Sequence, residues 1–375
     1  MSITRYFAAP GRVEVGGNHT DHQHGRVLAA AVELVVTATV TSNEINIVRF
    51  HNDLYGTHEV ELDALEIHPE EKGTSAALVR GVAAWFANKG YPIGGFDAEI
   101  SSTVPVGAGL SSSAAFEVLI GNIFKGLYGA DISCSELAQA GQFAENVYFG
   151  KPCGLMDQTA SSFGGLNIID FKNPQAPVVI PVRTDFSRYC LCVVNTGGSH
   201  ADLTSDYAAI PAEMKAVANY FGKEYLRELP EDEFYASIGS LRHLGDRAIL
   251  RAIHYYGDNG RVVKQAAALT HGDMNAFLQL VIDSGRSSLA FLQNVFSPLA
   301  PQEQGLAIAL ALSETILAGK GAWRVHGGGF AGTILAFVPD DLKVKYSSQM
   351  RAVFGEDCCH FLNIRKEGGG EVDSE

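Results

Sequence analysis

Pro105-Val106-Gly107-Ala108-Gly109-Leu110-Ser111-Ser112-Ser113-Ala114-Ala115 joins a run that alternates like a strand, residues 96–101, to a helix-spaced run of small and apolar residues, 110–127. Glycines in such a turn leave backbone N–H groups free to face an anion, and the helix N-terminus adds about half a positive charge. Three serines in the first turn add hydroxyl donors and candidate Mg²⁺ ligands. This is the phosphate-cradling logic of a P-loop without its lysine; no Gly-x-x-x-x-Gly-Lys-Ser/Thr match occurs in the chain. A plain serine-capped helix is the simpler alternative, and the length of the Gly/Ser run stands against it.

Upstream, Pro10-Gly11-Arg12-Val13-Glu14-Val15-Gly16-Gly17-Asn18-His19-Thr20-Asp21-His22 sets an arginine beside a glycine pair and a dense polar cluster. His19 and Asp21 together donate and accept, which suits vicinal hydroxyls. A metal reading of His19, Asp21, His22 and His24 lacks the i, i+4 pair of a helical zinc site. Taken alone, the segment also fits a hairpin loop with polar decoration. Downstream, Val325-His326-Gly327-Gly328-Gly329-Phe330-Ala331-Gly332-Thr333 carries a density of glycine that usually packs against another backbone or a ligand. Between them, Cys153-Gly154-Leu155-Met156-Asp157-Gln158 places one acid among small and apolar residues, which favours a functional role for Asp157. Glu145 lies on a helix of mostly apolar or small residues and by itself reads as a surface glutamate.

The chain has 375 residues, enough for two domains, and 46% hydrophobic against 19% charged residues fills two cores. The net charge of -14 argues against nucleic acid or an anionic membrane as partner, so any anionic substrate needs local positive potential. No apolar run is long enough for a signal peptide or a membrane span. The six cysteines show no CxxC pair and read as reduced thiols of a cytoplasmic protein.

Strands are predicted at 32–40, 45–50, 96–101, 164–171, 178–182, 189–195, 331–338 and 360–364, with 41–44 as a hairpin turn. Helices are predicted at 75–88, 110–127, 133–148, 203–221, 240–256, 260–270, 273–293, 301–317 and 341–354. The tail, 368–375, is expected to fray. The domain boundary falls near 172–188, giving an N-terminal domain, 1–180, and a C-terminal domain, 181–375.

In this order the segments resemble the GHMP kinase superfamily and, within it, the galactokinases, over residues 8 to 338. The resemblance implies an α+β, two-domain architecture: a ribosomal S5 domain 2-like N-terminal domain and a ferredoxin-like C-terminal domain, with the active site in the cleft. It implies ATP as co-substrate, Mg²⁺, and transfer of the γ-phosphate to the anomeric hydroxyl of a sugar. Asp157 would be the catalytic acid, abstracting or orienting the C1 proton. Arg12 would stabilise the transferring phosphoryl group and hold Asp157 ionised. Pro105, Gly107, Gly109, Leu110, Ser111, Ser112 and Ser113 would bind ATP, and Ser113 and Glu145 would hold the metal. Asn18, His19, Asp21, Gly154 and Tyr207 would contact the sugar. A small-molecule enzyme of this kind is expected to be a monomer or a weak homo-oligomer.

Asn18-His19-Thr20-Asp21-His22 departs from the galactokinase Glu-His-Thr-Asp-Tyr, whose Glu accepts from the sugar's 6-hydroxyl. A glutamate there would repel a C6 carboxylate and Asn18 would not; plant galacturonate kinases also lack that Glu. Galactose is the expected substrate, with galacturonate and N-acetylgalactosamine as alternatives. A non-catalytic sugar sensor is disfavoured by the intact Ser111-Ser112-Ser113-Ala114 run. A mevalonate or homoserine kinase is disfavoured by the His19-Thr20-Asp21 cluster.

Overall fold

A computed structural model describes residues 4–52, 56–105, 107–198 and 203–373. Val106 of the glycine loop and residues 374–375 of the tail lie outside them. In the first lobe, β1 (Thr4–Gly16) and β2 (Arg26–Ser42) form a long antiparallel pair. They are followed by β3 (Ile47–Asn52), β4 (Gly56–Glu61), α1 (Ser75–Lys89), β5 (Phe96–Ser102) and α2 (Ser112–Tyr128). The lobe is completed by α3 (Cys134–Phe143), α4 (Met156–Phe163), β6 (Leu166–Asp170) and β7 (Val178–Pro181). The sheet runs β1-β2-β5-β3-β4, and β6 pairs with the first part of β2 and with β7. β1 is buried from Phe7 to Gly16, so its residues alternate little in polarity.

The second lobe opens with β8 (Tyr189–Asn195) and α5 (Thr204–Tyr220). Next come the short α6 (Glu231–Ala236) and α7 (Ile238–Leu241), then α8 (Asp246–Thr270), α9 (Met274–Ser287) and α10 (Gly305–Leu317). β9 (Ala322–Val325), β10 (Thr333–Pro339), α11 (Lys343–Phe354) and β11 (Cys359–Leu362) complete an antiparallel sheet in the order β11-β8-β10-β9. The lobes share apolar packing: the cluster holding Val13 and Val15 also takes in Val262 of α8, Phe277 of α9 and Phe337 of β10. Among the described residues, no helix is long and apolar enough to cross a membrane.

Four expectations are corrected. Residues 41–44 do not close a hairpin, because β5 lies between β2 and β3, parallel to the latter. Periodicity marks strands but carries no pairing partner. The helices predicted at 240–256 and 260–270 are one 25-residue helix. Gly257 and Gly260 inside it cost about 1 kcal/mol each; Asp258 between them is buried, pairs with Arg261 of the same helix and accepts from the Asn18 N–H of the first lobe. The helix predicted at 133–148 is α-helical only to Phe143, and Ala144–Phe149 forms a wider π-turn. The tail does not fray over its described part: β12 (Gly370–Val372) pairs antiparallel with β1, covering an edge that would otherwise be open.

Candidate active site

β1 carries Arg12 between two irregularities in its ladder with β2, at Pro10/Arg12 and Glu14/Gly16, and bulges of this kind re-aim side chains. The Arg12 guanidinium meets Asp157, in the first turn of α4, in a two-pronged pair: Nε to Oδ1 and Nη2 to Oδ2, each 2.7 Å. Its Nη1 donates to the Gly109 carbonyl, and its backbone N–H donates to Leu110 O at 3.0 Å. The glycine loop is thus docked on β1. Gly109 has φ +69° and lies so close to Thr333 and His326 that a side chain there would collide. Ser111, also at positive φ, donates its hydroxyl to Asp157 Oδ2.

Burial by itself would raise the Asp157 pKa. The Arg12 charge, its hydrogen bonds and the Ser111 hydroxyl outweigh burial and hold the carboxyl below its usual range. Burial likewise opposes the Arg12 charge, and Asp157 restores it. Arg12 is nearly closed off, with 8% of its side chain exposed, while Asp157 keeps 26% open to solvent. That exposed edge leaves the carboxylate reachable by a ligand.

Below the loop, α2 begins at Ser112, and the Ser113 hydroxyl donates to Glu145 Oε1 at 3.2 Å. The π-turn aims Glu145 inward, so the residue is 3% exposed rather than a surface glutamate. Lys151 Nζ lies 3.3 Å from the same oxygen, and Gln158 Nε2 donates to Glu145 Oε2 at 3.0 Å and to Glu117 Oε2 at 2.9 Å. A hydroxyl and a carboxylate oxygen side by side are the hard donors that Mg²⁺ takes. Pro105 and Ser112 are half-buried, and Gly107 is exposed at the outer turn.

The loop after β1 is gripped by α8. His254 Nε2 donates to Asn18 O at 2.9 Å, and the Asn18 N–H donates to Asp258 Oδ2 at 2.8 Å. Asp21 faces Gly154, where any Cβ would collide with Asp21 Oδ2. His19 Nε2 contacts Gly328 O at 2.9 Å, and its buried Nδ1 has no hydrogen-bond partner among the described residues. Burial, with His22 adding, pushes the His19 pKa down to about 3, so the ring is neutral. The proton sits on Nε2 facing the carbonyl, and Nδ1 is an open acceptor. The Tyr207 hydroxyl donates to Gly329 O at 2.9 Å, and burial raises its pKa to about 12.

Asn18 is a correction. It is fully buried, and all four hydrogen-bonding positions of its side chain are used internally. Nδ2 donates to Glu14 Oε1 at 3.0 Å and Gly327 O at 2.7 Å; Oδ1 accepts from Ser288 at 3.2 Å and Asn294 at 2.8 Å. The amide therefore turns into the protein and has nothing left for a sugar hydroxyl.

Glu14, Arg324, Glu117 and Gln158 were not singled out by sequence reasoning. Glu14 Oε1 accepts from Arg324 Nη2 at 2.6 Å. Burial pushes Glu14 up to about 7 against the pull of Arg324, and burial with Glu145 nearby raises Glu117 well above its usual range. The available signal was a charged residue inside an otherwise apolar strand: Glu14 between Val13 and Val15, and Arg324 between Trp323 and Val325.

Residues 77–165 match the GHMP kinases N terminal domain, and residues 2–42 match the galactokinase galactose-binding signature. A galactokinase of Glaesserella parasuis serovar 5 (strain SH0165) is 31% identical over 341 residues, 89% of this chain and 85% of that protein. The chain belongs to the galactokinase family. It is a sugar kinase of GHMP kinase fold. The crystal structure of Lactococcus lactis galactokinase complexed with galactose superposes with a TM-score of 0.83 at 26% identity, covering 98% of this chain and 95% of that one. A mevalonate kinase structure, at 16% identity, 96% and 99% coverage and a TM-score of 0.68, shares the fold.

Proposed function

We propose that this galactokinase-family member transfers the γ-phosphate of ATP to the anomeric C1 hydroxyl of galactose. The observation that carries the reading is the Arg12–Asp157 pair, tied through Gly109 and Ser111 to the glycine loop. ATP would lie with its phosphates along the glycine loop, at the N-terminus of the 17-residue α2. Asp157, with its exposed edge, would receive or orient the C1 hydroxyl. Arg12 would neutralise charge on the phosphoryl group in flight. A carboxylate held below its ordinary pKa is a modest base, and phosphoryl transfer through a loose transition state asks mainly for positioning and charge neutralisation.

Ser113 and Glu145 fit Mg²⁺ by donor type, and the ion would supply charge neutralisation across the β- and γ-phosphates. Lys151 would add a positive charge beside them. His19 Nδ1, Asp21, the Gly154 backbone and Tyr207 would hold the sugar; Asn18 would not touch it. The chain's six free cysteines are in keeping with a cytoplasmic protein, which would act as a monomer or weak homo-oligomer.

Galacturonate is the second reading, favoured by one observation: position 18 carries a neutral amide, itself taken up by Glu14 and Asn294, so no carboxylate stands there to repel an acid sugar. The test is coupled detection of ADP with galactose, galacturonate and N-acetylgalactosamine, comparing kcat/KM. The highest value is expected with galactose. A higher value with galacturonate would reverse the order of the two readings. Sugar-dependent thermal stabilisation without ADP release would replace catalysis by sensing.

A further inference from the structure

His326 stands where the strand bearing Arg12, the glycine loop and the second lobe meet. It is 2% exposed, and both ring nitrogens are engaged. The backbone N–H of Glu14 points at Nε2 from 3.1 Å. An N–H only donates, so Nε2 is the acceptor and the ring proton sits on Nδ1. Nδ1 then donates to Thr333 Oγ1 at 3.1 Å. Burial, followed by the charges of Arg12 and Arg324, keeps the ring neutral, as this tautomer requires.

Two residues earlier on β9, Arg324 holds the Glu14 carboxylate at 2.6 Å. The second lobe therefore grips Glu14 twice, at its backbone and at its side chain. Glu14 lies two residues from Arg12, and the stretch Arg12–Glu14 pairs with Ala31–Ala29 of β2 between two register shifts, so the grip on Glu14 bears on the short piece of strand that carries Arg12. On the other side Gly109, whose carbonyl accepts from Arg12, lies against His326 Nδ1 and Thr333.

We infer that His326 is a positioning residue: through the Nε2 bond to the Glu14 N–H it sets β1 at the depth that brings the Arg12 guanidinium onto Asp157. This rests on the reading that Arg12 and Asp157 act on the reacting groups.

The test compares three variants of the full chain. His326→Gln keeps an acceptor oxygen where Nε2 stands. His326→Asn reaches only as far as Nδ1 and leaves the Glu14 N–H unpaired. Thr333→Val severs the Nδ1 bond alone. The Gln and Val variants are expected to keep kcat within about threefold, while the Asn variant loses about 10- to 100-fold in kcat with little change in sugar KM, as a small misplacement of catalytic groups does. Equal losses in the Gln and Asn variants, or full kcat in a folded Asn variant, would overturn the proposal. Should the Asn variant not fold, a folded Gln variant that loses tenfold in kcat also overturns it. Asp157→Asn, measured alongside, separates the two readings: wild-type kcat there would remove the catalytic assignment itself, whatever position 326 does.

Discussion

The Asn294 side chain donates to Asn18 Oδ1 at 2.8 Å and fills the last hydrogen-bonding position of a fully buried amide. Asn18 is thereby committed to Glu14, Gly327, Ser288 and Asn294. Asn18→Glu would place a second carboxylate beside Glu14 in this closed space. A buried charge without its own partner costs about 3–5 kcal/mol, so a large fall in Tm is expected. Exchanging the pair, Glu14→Asn with Asn18→Glu, keeps one carboxylate and one amide and is expected to recover more than half of the loss. Thermal melts of the two single variants and the double variant decide it; an Asn18→Glu protein as stable as its parent would show that the side chain swings out to the cleft.

Asp157 carries the chemistry in the proposed reaction, and its substitution tests it most directly. Asp157→Asn preserves shape and part of the Arg12 contact while removing the charge. Loss of a positioned acid–base group lowers rates by about 10²–10⁴-fold. A drop in kcat of that size with an unchanged circular dichroism spectrum is expected. Turnover near the parent level would take Asp157 out of the mechanism.

Much of this site was legible in the sequence, and the part that was not has a common physical character. The Gly107–Ser113 run announced a strand-to-helix turn because few other structures need so many glycines and serines. Asp157 stood out because it is the one acid in a stretch of small and apolar residues. Glu145 did not stand out, since its inward aim comes from a π-turn that no local pattern marks. Asn18 misled for the opposite reason: it sits in the same polar run as His19 and Asp21, and which way its amide turns is decided by Glu14 four residues earlier and Asn294 far along the chain. The β2–β5–β3 order and the return of β12 to β1 are pairings between distant segments, and strand periodicity is silent on them.

Ser113 and Glu145 define the expected metal position through a single 3.2 Å contact. Ser113→Ala and Glu145→Gln each remove one oxygen donor while leaving Arg12 and Asp157 in place. Both are expected to raise the Mg²⁺ concentration needed for half-maximal activity about tenfold, the larger effect at Glu145 because it contributes charge as well as an oxygen. Titration of Mn²⁺ followed by electron paramagnetic resonance, in the presence of ADP, gives the same comparison without turnover. Unchanged metal dependence in both variants would move the site elsewhere.

Glu14 and His19 pull the pH dependence of stability in opposite directions. The pKa of His19 is pushed down to about 3, against about 6.5 in an unfolded chain, so between these values the unfolded state binds more protons and stability is lost as pH falls. Glu14 is pushed up to about 7 from an ordinary value near 4.5, so the folded state binds the extra proton and stability is gained as pH falls through that interval. Between about pH 4.5 and 6.5 these two contributions oppose each other. Glu14→Gln removes one side of the balance. Its stability is expected to fall more steeply than the parent's on acidification from pH 6.5 to 5, by about 1.4 kcal/mol per pH unit. Parallel curves of Tm against pH for the two proteins would show that Glu14 ionises in the fold as an ordinary carboxyl does, and would remove the buried proton from the base of the site.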